Sequence, residues 1–76
     1  MERSREVQLT GRESEVLREV TSGATSREIG EHLEISENTV NFHLKNIFNK
    51  LKLRNRAQAV VWAAEHGYVE RHKKSR

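Results

Sequence analysis

The stretch from Ser36 to Leu51, S-E-N-T-V-N-F-H-L-K-N-I-F-N-K-L, groups side chains that can bind but not react. At the helical step of about 100° per residue, Asn38, Phe42, Lys45 and Asn49 share one face, with Asn41 and Asn46 on its shoulders. The amides donate and accept hydrogen bonds, the ammonium donates, and the ring offers an apolar plate. No acid stands among them, so the face suits base edges and phosphates better than it suits plain water. On the other side, Leu44, Ile47 and Leu51 fall within about 40° of Val40 and form an aliphatic stripe that needs a core. Catalysis is not expected. The sequence holds no Ser/His/Asp set, metal cluster or glycine-rich phosphate loop, and so small a chain offers little concave pocket. His43 lies at the edge of the apolar stripe, and His32, His66 and His72 show no ligand spacing with it, so neither a metal nor a cofactor is expected.

The chain has 76 residues and no cysteine, which allows one small domain and excludes a disulfide framework. No apolar run approaches the roughly 20 residues of a membrane span, and the opening Met-Glu-Arg-Ser-Arg-Glu lacks the apolar stretch of a signal peptide. A reducing cytoplasm is the expected compartment. The formal charge of +3 conceals an asymmetry: residues 1–38 carry −4 and residues 39–76 carry +7. A basic half beside an acidic half suggests a polyanion footprint on one side.

The elements that must position these residues are legible as helices with short connections. Thr10 with Glu13 forms a capping box, and Leu9 before it is placed to act as the outer half of a hydrophobic staple. Val16, Leu17 and Val20 give that helix a narrow apolar stripe, and Ser22-Gly23 stops it. A second capping box, Thr25 with Glu28, opens a short helix over Ser26 to Leu33, with Ile29 and Leu33 inward. Glu34-Ile35 is a turn. Ser36 then caps the third helix, which runs to about Leu51, and Asn55 caps a fourth over Arg56 to His66, ended by Gly67. A short helix tightly linked to a longer one is a helix-turn-helix arrangement, in which the second helix enters the major groove and the first crosses the phosphate backbone. Gly30, inside the first helix of the pair, costs about 1 kcal/mol of helix propensity against alanine, which points to close approach by the next helix. From Ala57 to Ala64 every residue but Gln58 is apolar, more than a helix packed on one side needs.

Residues Leu9-Thr10-x-Arg12-Glu13-x-Glu15-Val16-Leu17, Gly23, Ser26-x-Glu28-Ile29, Leu33-x-Ile35-Ser36-Glu37-Asn38-Thr39-Val40-x-x-His43, Lys50-Leu51, Asn55-Arg56, Gln58-Ala59-Val60, Ala63 and Gly67 resemble the LuxR-type DNA-binding domain, also called the FixJ or GerE-like helix-turn-helix. The match spans about residues 9–69, leaving 1–8 as a flexible N-terminus and 70–76 as a basic tail. The resemblance implies an all-α, four-helix domain that binds double-stranded DNA as a dimer and regulates transcription, with RNA polymerase as a further partner and no membrane. Three positions depart from the family's usual residues. Gly30 stands where alanine is usual, Asn41 where lysine or arginine is common, and Leu53 where valine is frequent. An amide at 41 reads adenine more naturally than guanine.

Carried over by resemblance, the base-contact residues are Asn41, Phe42 and Lys45. The phosphate-contact residues are Thr25, Ser26, Thr39, His43, Asn46, Lys50 and Arg56, with Thr25 and Ser26 at a helix N-terminus that favours anions. His43 is expected to wedge between core and backbone and to donate to a phosphate or a carbonyl. The family's dimerisation through the fourth helix accounts for its apolar excess. Val60 and Ala63 then face the core, and Ala57, Val61, Trp62 and Ala64 supply the partner-facing residues. The chain is expected to be a stand-alone regulator or the C-terminal end of a larger one. The rival function is a helical protein-interaction module that titrates another regulator. RNA fits less well, since A-form major grooves do not admit a helix.

Overall fold

In the computed structural model, which describes residues 8–68, each helix starts where a capping side chain starts it. Thr10, Thr25, Ser36 and Asn55 sit in extended backbone, and each accepts a hydrogen bond from the N–H three residues on. Each thereby satisfies a donor that the first helical turn leaves free. They open α1 (Gly11–Thr21), α2 (Ser26–Leu33), α3 (Glu37–Leu51) and α4 (Arg56–Glu65). Both capping boxes are complete, the Glu13 and Glu28 carboxylates accepting from the Thr10 and Thr25 N–H groups at 3.0 and 2.9 Å. At α4 the Gln58 side chain instead reaches one residue further back, to the Arg54 N–H at 2.7 Å. Position four of α1 is Ser14, so Leu9 has no apolar staple partner there and packs on the core instead.

The described residues contain four helices and no strand, as the sequence patterns predict. Val16, Leu17 and Val20 of α1, Ile29 of α2, Val40 and Ile47 of α3, and Ala59 and Ala63 of α4 are almost wholly buried. α1 is the common support, packing against each of the other three helices, while α2 packs on α3. The α4 face turned to the core is made of Ala59 and Ala63, with half-buried Val60 beside them. Methyl side chains at i and i+4 let two helices approach closely, a purpose the apolar run alone does not reveal.

The α2–α3 connection holds the two helices in register. Glu34 adopts the left-handed conformation, φ 62°, and its N–H and that of Ile35 both return to the Gly30 carbonyl. Such backbone costs a residue with a Cβ about 1–2 kcal/mol. Gly30 is buried, and a Cβ there would stand 2.6 Å from the Ile35 carbonyl oxygen and 3.5 Å from the Glu37 nitrogen. The close approach expected of Gly30 is therefore to the turn and to the first residue of α3. α4 ends one residue earlier than its sequence pattern suggests, with His66 as its C-cap. Residues 1–7 and 69–76, which include the basic tail, lie outside the described residues.

Candidate nucleic-acid interface

α3 presents two chemically opposite sides because its sequence alternates them at helical spacing. Val40, Leu44 and Ile47 lock it onto α1 and α2. On the far side Asn41, Phe42, Lys45 and Asn49 are exposed, and Phe42 keeps 60% of its surface in water. An exposed aromatic ring beside a lysine sets an apolar plate next to a charged donor on one surface. Among the described residues Lys45 has no ion-pair partner, so its charge is available to a ligand.

A hydrogen-bonded chain joins three helices at the edge of this face. The Ser26 hydroxyl, in the first turn of α2, donates to Asn41 Oδ1 at 2.7 Å. Arg56, at the start of α4, donates from Nη2 to the Ser26 oxygen at 3.3 Å and from Nη1 to the Ala24 carbonyl at 3.1 Å. Ser26, Asn41 and Arg56 are thus brought together, although they stand far apart in sequence. Thr25 uses its hydroxyl to cap α2, and Thr39 lies 2.8 Å from the Ser36 hydroxyl at the start of α3. Asn46 is half-buried on the shoulder of α3.

Lys50 and His43 of the expected phosphate set are, like Arg56, half-buried. Lys50 Nζ sits 2.7 Å from Glu13 Oε1, whose residue is 4% exposed. Burial works to raise the Glu13 pKa, but the Lys50 hydrogen bond and charge and the Thr10 N–H outweigh it and hold the carboxyl below its ordinary range. His43 is half-buried, and its enclosed Nδ1 has no hydrogen-bond partner. Its ring stands edge-on to Phe42, with centroids 5.8 Å apart.

On α4, Ala57, Val61 and Ala64 are exposed, whereas Trp62 is half-buried. The indole stacks on His66 at 3.9 Å and contacts Tyr68 at 5.6 Å, so part of it is spent inside its own domain. A shallow apolar groove of 380 Å³ runs between Leu53, Ala57, Gln58, Val61, Trp62 and Glu65.

The model of the family described as bacterial regulatory proteins, luxR family, matches residues 7–63, the whole helix-turn-helix and most of α4. The chain belongs to this family. This luxR-family domain is 50% identical over 58 residues to the CsgBAC operon transcriptional regulatory protein of Escherichia coli (strain K12), covering 76% of this chain and 27% of that protein. It is 48% identical over 62 residues to the transcriptional regulatory protein DegU of Brevibacillus brevis, covering 82% and 26%. The chain spans about a quarter of the length of these curated relatives. Among solved structures, GerE superposes with a TM-score of 0.74 at 32% identity, covering 87% of this chain and 97% of that one. SdiA in complex with octanoyl-rac-glycerol gives 0.77 at 43% identity, covering 92% and 29%. The four-helix fold and the helix-turn-helix of α2 and α3 are therefore those of a transcription-regulator family. No helix among the described residues of the luxR-family domain is long and apolar enough to cross a membrane.

The site has members that sequence spacing does not flag. Glu13 reads locally as a capping residue, and its second role as the Lys50 partner spans 37 positions. The Ala24 carbonyl, which anchors Arg56, is backbone and leaves no mark in the residue types.

Proposed function

We propose that residues 9–69 form a sequence-specific double-stranded DNA-binding domain that regulates transcription, with α3 in the major groove and the start of α2 against the phosphate backbone. The observation that carries this reading is the division of α3. Val40, Leu44 and Ile47 are buried, whereas Asn41, Phe42 and Lys45 stand exposed on the opposite side. A helix of this width fits the major groove, and its outward groups are those that pair with base edges. Thr39, His43, Asn46, Lys50 and Arg56 supply phosphate contacts, and Thr25 and Ser26 add theirs through the free backbone N–H groups at the start of α2. Two copies pair through Ala57, Val61, Trp62 and Ala64 of α4 and read half-sites about one helical turn apart. The regulator works in the cytoplasm at the nucleoid, with RNA polymerase as its downstream partner.

The test is selection of bound duplexes from a random pool, followed by fluorescence anisotropy against salt. The expected result is a two-fold symmetric site whose affinity falls steeply as salt rises, because phosphate contacts release counterions. Absence of duplex binding at low salt would reject the reading. The apolar groove on α4 favours one alternative, a module that titrates another regulator. That module would bind a protein partner with Lys45 dispensable.

A further inference from the structure

We propose that Ser26 turns Asn41 into a hydrogen-bond donor toward the DNA groove, so that this position reads guanine rather than adenine. The inference rests on the DNA-binding reading above and deepens it by naming a base and the residue that selects it.

An asparagine amide has one oxygen acceptor and two N–H donors, and its bidentate pairing with adenine uses both ends. Here the acceptor end is engaged: Asn41 Oδ1 lies 2.7 Å from the Ser26 hydroxyl. That length is ordinary for an O–H···O bond. A donor behind Ser26 leaves its proton for Asn41. Arg56 carries only donors, and its Nη2 points at the Ser26 oxygen at 3.3 Å, so it occupies a lone pair there. The guanidinium is itself held by the Ala24 carbonyl at 3.1 Å. The three groups form a chain in which each donates to the next, Arg56 to Ser26 and Ser26 to Asn41. Chains of this kind polarise one another in the same sense.

Oδ1 keeps a second lone pair, but it is drawn toward α2, so the NH2 group is the end turned away from Ser26. Guanine offers two adjacent major-groove acceptors, O6 and N7, whereas adenine sets an N6–H2 donor beside its N7. An amide that leads with its donors is matched by both guanine acceptors, whereas adenine offers it one acceptor and one opposed amine. Asn41 thus takes the part of the cation that is common at this position in the family. Lys45 stands one turn further along the same helix and is a pure donor, so α3 leads with donors at two successive positions.

The experiment is selection of bound duplexes with the wild-type chain and with Asn41→Ala, Ser26→Ala and Ser26→Thr, each checked for folding by its thermal melt. Asn41→Ala is expected to flatten the preference at one base pair, which identifies the position. There the wild type selects guanine. Ser26→Ala frees the amide oxygen and moves that position toward adenine by about tenfold in relative affinity, with the other positions unchanged. Ser26→Thr, which keeps the hydroxyl, retains guanine. A purely structural or phosphate-binding Ser26 would weaken all sites equally. Adenine at that position in the wild type, an unchanged preference in Ser26→Ala, or an Asn41→Ala that flattens no position each overturns the proposal while leaving DNA binding intact. Loss of all duplex binding by the wild type overturns the DNA-binding reading and this inference together.

Discussion

Lys50 of α3 and Glu13 of α1 are joined by an ion pair of 2.7 Å whose carboxylate is buried and whose ammonium is half-exposed. Glu13 also closes the capping box that starts α1. One carboxylate therefore ties the start of α1 to the far end of α3.

Removing the ammonium leaves a buried carboxylate short of a partner. Lys50→Met is expected to destabilise the domain by about 1–3 kcal/mol, read as a lower urea midpoint at neutral pH. An unchanged midpoint would assign Lys50 to the surface and return it wholly to phosphate binding.

The same pair sets a response to acid. The Glu13 pKa is lowered from its ordinary 4.5 in the folded state, so in that range the unfolded chain binds more protons than the folded one. Stability from this group is complete above the unfolded pKa and is lost as pH falls through the folded value. Urea midpoints across the acid range should fall with pH in the wild type and fall less in Glu13→Gln. Equal slopes in the two proteins would exclude Glu13 as the source.

His32 behaves in the opposite sense. Its Nδ1 lies 2.8 Å from Glu19 Oε1, across the α1–α2 junction, and this contact raises its pKa above the ordinary 6.5. Whatever stability it adds is present below the unfolded value and is lost as pH rises through the folded one. An NMR titration should place His32 above an exposed histidine, with Glu19→Gln bringing it back. A titration midpoint that ignores Glu19 would show that the contact does not persist in solution.

The turn between α2 and α3 tolerates little. A Cβ at Gly30 already meets the Ile35 carbonyl at 2.6 Å, so Gly30→Leu must separate the two helices. The expected cost is about 1–3 kcal/mol, typical of an overpacked site. A melt equal to that of the wild type would mean that the turn can open freely.

Lys45 is exposed, and the fold does not use it. Lys45→Ala should keep the thermal melt and weaken binding to a selected duplex by about 1–3 kcal/mol. Unaltered affinity for that duplex would remove Lys45 from the reading set.

The helices were legible because what starts them is local. Thr10, Thr25, Ser36 and Asn55 each bond to an atom three residues away, within reach of any reading of adjacent letters. The buried side of α3 followed from periodicity for the same reason. What stayed hidden depends on where helices cross. Ser26 meets Asn41 across 15 positions, Arg56 meets Ser26 across 30, and Lys50 meets Glu13 across 37. Trp62 is a local case of another kind. Its partner His66 stands only four positions on, at helical spacing, and the stacking covers one face of a ring whose apolar character alone is plain in the sequence.

The division of α3 into a buried stripe and an exposed side has an evolutionary corollary. Substitutions at Phe42 or Lys45 leave the core contacts of Val40, Leu44 and Ile47 untouched, so under the proposed function descendants of this gene can change what they bind at little cost in stability. Position 41 is the exception, because its amide is coupled to Ser26 and through it to Arg56. A library built to alter this surface should vary those three positions jointly.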